Sequence, residues 1–100
     1  MNNQEVARIF REMSEYLGMD EIPFKPQAYE RAALNIETLP EDVGEIYKKG
    51  RIKALEDIPG VGKNIAEKIA EYLETGKIKE YERLKKKMPV DLGALSAVEG

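Results

Sequence analysis

The sequence lacks two residue types on which much protein chemistry depends. Its 100 residues include no cysteine and no histidine. This absence excludes disulfides, thiol nucleophiles, imidazole acid-base catalysis and zinc sites of the Cys/His type. Any chemistry in this chain must therefore use lysine, tyrosine or carboxylate side chains.

Long apolar runs are also absent. No stretch approaches the length needed to span a membrane, and the N-terminal segment MNNQEVARIF lacks the apolar core of a signal peptide. We therefore expect a cytoplasmic protein with no membrane partner.

Glycine and proline are scarce, at 8 and 5 residues, whereas 42% of the residues are apolar and 35% are charged. This composition is typical of an ordered chain, and its length suits one small domain. Helical spacing of the apolar residues predicts an all-α fold, a compact bundle of four to five short helices. Because these helices can cover one another's apolar faces, we expect a monomer.

Charge is distributed unevenly along the chain. The formal net charge is −3, but residues 1–50 carry 6 basic and 10 acidic side chains, while residues 51–87 carry 10 basic and 7 acidic ones. The second half therefore presents a locally basic surface, which is compatible with a phosphate-bearing partner.

Caps and breakers predict where the helices begin and end. Asn2 or Asn3 can cap the first helix, and Gly18 is predicted to end it after Leu17. The other helices are predicted from residues 24–26 onward, from 39–42 to 50, from 63 to 74, and from 77 to about 88. Lys25 lies at a helix start, where the helix dipole disfavours a cation. It is either a solvated lysine or a residue that awaits an anion.

The stretch Leu55–Ile69 contains a tight turn, Pro59-Gly60-Val61-Gly62, that leads directly into an amphipathic helix. The amides of Gly60, Gly62 and Lys63 would lie at the N-terminus of that helix without intrahelical acceptors, which is a favourable phosphate site. Helix, Gly-Val-Gly turn and helix form the helix-hairpin-helix pattern, which binds a nucleic-acid backbone without reading bases. The alternative is an ordinary corner between two helices, with glycines for close packing.

Pro89 is predicted to end the last helix. In the tail that follows, residues 95–100 repeat the apolar-to-glycine approach of the first hairpin without the turn that should follow. We interpret residues 1–88 as one domain and residues 89–100 as the truncated start of the next.

The segments FKPQAYERAALNIETLP and LEDIPGVGKNIAEKIAEYLETGKI, together with this tail, resemble the N-terminal eight-kilodalton domain of family X DNA polymerases. The resemblance covers essentially the whole chain and is greatest to the prokaryotic members. It implies a DNA polymerase beta-like N-terminal domain with its helix-hairpin-helix at about residues 51–75, located with the nucleoid and continuing into a polymerase domain. It also implies binding of gapped or nicked DNA at the downstream 5′-phosphate.

The resemblance extends to individual positions. Lys68 matches a lysine that forms a Schiff base with 5′-deoxyribose phosphate, and Tyr29 matches a residue that supports this lyase site. Asn64 and Glu80 stand where the family has lysines. The DNA-binding positions that the resemblance and the hairpin pattern imply are Lys25, Tyr29, Gly60, Val61, Gly62, Lys63, Asn64 and Lys68.

The family hairpin also binds a monovalent cation, Na⁺ or K⁺, through backbone carbonyls. The corresponding residues are Glu56, Ile58 and Val61. No other cofactor is implied within this domain, since Mg²⁺ belongs to the polymerase domain.

Lys68 can be interpreted either as an ordinary surface lysine or as a reactive amine. On a helical wheel it borders the apolar face one turn beyond Asn64, about 8–9 Å along the axis from the hairpin amides. Partial burial there would lower its pKa and expose the free amine that a Schiff base needs. A surface lysine whose stem covers the edge of the core gives the same pattern. Two functions therefore stay open, a DNA-binding lyase and a DNA-positioning module without chemistry. A third, more distant hypothesis is a helical protein-interaction domain that uses the acidic first half of the chain.

Overall fold

The computed structural model describes residues 2–19 and 25–87. These residues form five helices: α1 (Asn2–Met19), α2 (Lys25–Glu37), α3 (Val43–Glu56), α4 (Lys63–Thr75) and α5 (Lys79–Lys87). The predicted all-α fold is confirmed. The predictions for Met88 and for residues 89–100 lie outside the described residues.

α1 and α2 pack along each other, α3 packs on α4, and α1 also contacts α3 and α5. The apolar stripe of α1 is fully buried, as its helical spacing predicts, and the Phe10 ring meets the Tyr29 ring of α2 edge to face at 5.4 Å. α5 is held on α1 by the Tyr81 hydroxyl, which donates to the Glu12 carboxylate at 2.6 Å. The described helices thus share one core.

The start of α1 differs from the prediction. Asn2 and Asn3 lie inside the helix, and their side chains bond to the N-terminus of α3 instead of capping α1. The Asn3 amide oxygen accepts from the Val43 N–H at 2.7 Å. Asp42 caps α3 and accepts from the Gly44 N–H at 2.8 Å. Two helix N-termini that are distant in sequence are therefore joined by side chains, which periodicity alone does not show.

Of two glycines predicted to end helices, one does so and the other does not. Gly18 lies within α1, which continues to Met19, so the predicted stop at Gly18 is wrong. Gly76 ends α4 with φ of 79°, and its N–H bonds to the Tyr72 carbonyl, as a left-handed C-cap does. A glycine permits a helix end but does not impose one.

α3 contains a break at the point where the hairpin begins. Arg51 has φ of 60° and ψ of −151°, and the guanidinium lies 4.6 Å from the centre of the Tyr47 ring. A positive φ at a non-glycine residue is strained, and here it turns the last residues of α3 away from the axis of the first part. The third helix was predicted to end at Gly50, one residue before this break. The segment from Arg51 to Glu56 is the first helical arm of the hairpin.

Candidate nucleic-acid interface

The hairpin turn between α3 and α4 is anchored by two buried apolar residues. Ile58 and Val61 are each 5% exposed, and the Val61 N–H donates to the Ile58 carbonyl at 3.0 Å. Between and after them, Pro59, Gly60 and Gly62 are exposed. The turn therefore presents its backbone to solvent while its side chains fix it to the core.

Gly60 is pressed against α2. Its φ is +81°, and a Cβ built there would lie 2.9 Å from the Asn35 amide nitrogen and 3.2 Å from the Arg31 Cγ. The Asn35 amide donates to the Pro59 carbonyl at 2.9 Å. The backbone conformation thus favours glycine at this position, and two side chains of α2 leave little space for a Cβ. Asn35 is a residue that sequence reasoning missed, because nothing in a lone asparagine on α2 indicates which turn it will meet.

The N-terminus of α4 is open. Gly62 is its N-cap residue and offers no side chain to bond the first amides, and the first intrahelical bond runs from the Ala66 N–H to the Gly62 carbonyl. The N–H groups of Lys63, Asn64 and Ile65 therefore have no acceptor within the helix. This is the arrangement that the sequence pattern predicts.

A cleft of about 210 Å³ lies where the starts of α2 and α4 meet. It brings together four residues predicted to bind DNA, which come from segments about 35 residues apart in the chain. Its walls are Lys25, Ala28, Tyr29, Gly62, Asn64 and Ile65. Lys68 lies on the same face of α4 as Asn64, one turn further along the helix.

Both helices that open on this cleft lack an acidic residue in the first turn, whereas α1, α3 and α5 each have at least one there. Acidic residues near a helix N-terminus usually offset the positive end of the dipole. Lys25 and Lys63 add positive charge at these two termini, and neither forms an ion pair within the part of the chain that the structure describes. The cleft is therefore electrostatically prepared for an anion.

A family model described as a helix-hairpin-helix domain matches residues 1–78 of the chain. The chain belongs to the helix-hairpin-helix domain family. No curated protein matches it. The matched residues include the hairpin and every residue of the cleft, and membership of this family indicates a DNA-binding domain.

Tyr29 of this helix-hairpin-helix domain contributes a hydroxyl rather than a charge. The residue is only 4% exposed, and among the described residues its hydroxyl makes no hydrogen bond. Burial, with the nearby Glu80 carboxylate as a second cause, raises the pKa of Tyr29 above its ordinary value. The phenol therefore stays protonated and uncharged near neutral pH.

Lys68 lies at the border of the core, as the helical wheel predicts, with its side chain 21% exposed. Its ammonium nitrogen lies 3.0 Å from the Glu80 carboxylate of α5, whose side chain is 18% exposed. The Lys68 ammonium therefore has a carboxylate partner that the helical wheel does not show. Attack by Lys68 on a carbon would first require the nitrogen to leave this ion pair and lose a proton.

The remaining predicted residues of the helix-hairpin-helix domain play different parts in the turn. The Val61 amide is occupied by the Ile58 carbonyl and its side chain is buried, which leaves Val61 no free donor for DNA. The Ile58 carbonyl retains one lone pair, and the Glu56 carbonyl ends α3 and accepts none of the turn's backbone bonds. Carbonyl oxygens with spare lone pairs fit a monovalent cation. The described residues contain no cluster of acidic side chains that could hold a metal ion.

No helix in the described ranges combines the length and apolar character that a membrane span requires.

Proposed function

We propose that this domain binds gapped or nicked DNA and holds the downstream 5′-phosphate in the cleft between α2 and α4. The observation that carries the proposal is the meeting of two helix N-termini without first-turn acids at one small cleft that Lys25, Tyr29 and Asn64 line. The resemblance to family X DNA polymerases supports the same function. On this basis we propose that the domain is the N-terminal, DNA-positioning part of such a polymerase.

A terminal phosphate fits this site better than an internal phosphodiester does. A phosphate monoester carries about −1.5 to −2 charge near neutral pH, whereas a diester carries one negative charge. The free amides at the start of α4 and the Tyr29 hydroxyl supply donors, and Lys25 supplies a point charge. Gly62 has open space around its Cα, so a phosphate can approach the backbone closely.

The proposed roles of the hairpin residues follow from the same geometry. The exposed amides of Gly60, Gly62 and Lys63 would contact the backbone of the strand that carries the 5′-phosphate. The carbonyls of Glu56, Ile58 and Val61 would hold Na⁺ or K⁺, which helps a negatively charged strand to approach a turn. Replacing both cations with tetramethylammonium at constant ionic strength is expected to weaken DNA binding.

The test compares two gapped duplexes that differ only in a 5′-phosphate or a 5′-hydroxyl on the downstream strand. Fluorescence anisotropy is expected to show tighter binding of the phosphorylated gap. Tyr29→Phe should reduce this preference while preserving the buried ring, and Lys25→Ala should reduce it further. Lys48→Ala, an exposed lysine on α3 outside the cleft, is the matched control. Equal affinity of the wild-type domain for both duplexes would contradict the proposal.

A second candidate function is 5′-deoxyribose-phosphate lyase activity. The observation that favours it is the half-buried Lys68 one turn beyond Asn64, within reach of a sugar whose phosphate lies in the cleft. The Lys68 amine would add to the sugar aldehyde carbon and lose water to form an imine. Removal of a proton from the adjacent carbon then expels the 3′-phosphate, which stays on the downstream strand, and hydrolysis of the imine releases Lys68. Glu71 is engaged with the Lys79 N–H at 2.8 Å, which leaves Glu67 or a water as the base.

Borohydride trapping on a gap that carries 5′-deoxyribose phosphate tests this chemistry. A covalent adduct in the wild-type domain that disappears in Lys68→Ala would establish the lyase. An adduct that survives would move the nucleophile to Lys25 or Lys63. No adduct, with 5′-phosphate preference intact, would leave a positioning module without lyase activity.

A further inference from the structure

We infer that Glu80 is a positioning residue whose carboxylate binds the Lys68 ammonium where a DNA phosphate would otherwise bind it. Lys68 then contacts DNA only after this ion pair opens. The inference rests on the proposed function, because it concerns the strand that enters the cleft. In this arrangement, a carboxylate of α5 competes with the phosphates of the DNA backbone for Lys68.

The ion pair between Lys68 and Glu80 is short and partly buried, unlike a typical ion pair on a protein surface. The two charged atoms lie 3.0 Å apart, and the side chains are 21% and 18% exposed. Other ion pairs among the described residues have at least one side chain more exposed than either of these. A pair that is withdrawn from water is screened little by salt and holds its partners firmly.

The same carboxylate also lies close to one residue of the cleft wall, Tyr29. Its charge acts on the hydroxyl of Tyr29, which belongs to α2, while Lys68 pairs with it from α4. Glu80 therefore stands where three helices meet. A phosphate that moved from the cleft toward Lys68 would have to displace a carboxylate of like charge. Arg83, at 3.9 Å and largely exposed, is the other residue that forms an ion pair with Glu80 among the described residues.

This arrangement has a measurable consequence for salt dependence. A lysine that is already neutralised by the protein releases no further counterion when DNA binds. Glu80→Gln should free Lys68 and make the plot of log K against log salt concentration steeper by about 0.9 for duplex or about 0.7 for single-stranded contacts. The affinity gain over wild type should then be about threefold larger near 50 mM than near 200 mM salt.

Glu82→Gln is the matched control. It makes the same charge change in the first turn of the same helix, but Glu82 pairs with Lys85 and its side chain is 43% exposed. Any general effect of net charge or of the α5 dipole should appear in both variants. Urea unfolding of both shows whether the fold is retained.

The double variant Glu80→Gln with Lys68→Met keeps the inference testable even where a single variant is unstable, because it removes both charges together. We expect the double variant to have the wild-type slope, since the pair as a whole contributes no contact. A double variant that loses about 0.9 in slope relative to wild type would show that Lys68 already contacts DNA, and would overturn the inference. Equal slopes for Glu80→Gln and Glu82→Gln would overturn it too. The 5′-phosphate preference, measured in parallel, tests the proposed function separately.

Discussion

At the scale of single residues, the two glycines of the hairpin serve different purposes. Gly60→Ala is expected to destabilise the fold by about 1–3 kcal/mol, because alanine at a φ of +81° is strained and its Cβ would contact Asn35. Urea unfolding followed by circular dichroism measures the loss.

Gly62→Ala provides the comparison for this prediction. Gly62 has φ of −88°, and a methyl group on its Cα would meet nothing within 4 Å beyond its chain neighbours, so the change should cost less than about 1 kcal/mol. Its effect should fall on DNA affinity, since the methyl would stand between a phosphate and the start of α4. Equal losses of stability in the two variants would contradict this division between a structural and a binding glycine.

The residues that line the cleft could be predicted from the sequence, whereas the ion pair between Lys68 and Glu80 could not. Lys25, Tyr29, Gly62 and Asn64 could be selected because motif and resemblance give each a position along the chain. The Lys68–Glu80 ion pair depends on how α5 rotates against α4, and no local pattern contains that rotation. The partial burial predicted for Lys68 is therefore confirmed, whereas its ion-pair partner was not predicted.

At the scale of elements, the start of α4 lacks the acidic and capping side chains that would stabilise the helix, and this leaves its N-terminal amides open to an anion. Asn64→Asp should raise the free energy of unfolding by about 0.3–1 kcal/mol, because a carboxylate in the first turn interacts favourably with the helix dipole. The same substitution should weaken binding of the 5′-phosphorylated gap, because Asn64 lines the cleft. Thermal or urea unfolding and anisotropy titrations on the same preparation measure both effects.

Asn64→Ala serves as the uncharged control, since it removes the side-chain amide without adding a negative charge. Its affinity should fall less than that of Asn64→Asp. If the aspartate variant gained stability and bound the phosphorylated gap as tightly as wild type, the cleft would not be the phosphate site.

The ends of a helix could be predicted where a single helix-breaking residue determines them. Gly62 and Gly76 bound α4 because the chain on both sides has no competing helical continuation. The break in α3 was harder to place, since Arg51 is a good helix former and nothing in the local sequence predicts its positive φ. Local propensity describes the segments, and packing decides their junctions.

At the scale of the whole molecule, charge is separated into an acidic first half and a basic second half. A groove of about 300 Å³ beside α5 has four basic side chains and one acidic side chain in its walls, which are Lys77, Lys79, Glu82, Arg83 and Lys86. Large apolar side chains that are exposed within the described residues are confined to Met19 and Leu34. We therefore propose a monomer whose basic face, rather than its net charge, directs it to DNA.

Acid stability of the whole domain should depend on Asp42, which joins α1 to α3. Burial opposes its ionisation, but hydrogen bonds from Gly44, Asn2 and Asn3 outweigh burial and lower the pKa of Asp42 below its ordinary value of 3.8. A depressed pKa contributes stability at pH values above the unfolded value and loses it as pH falls through the folded one. Asp42→Asn should therefore cost about 1–2 kcal/mol near pH 7 and clearly less near pH 3.

Glu37→Gln separates this effect from ordinary surface charge. The Arg11 guanidinium lowers the pKa of the Glu37 carboxyl, but that ion pair is exposed on both sides. Its removal should change the free energy of unfolding little at either pH. If Asp42→Asn cost the same near pH 3 as near pH 7, the carboxylate would not be the group that ties the two helix N-termini together. The loss would then reflect only the altered shape of the N-cap.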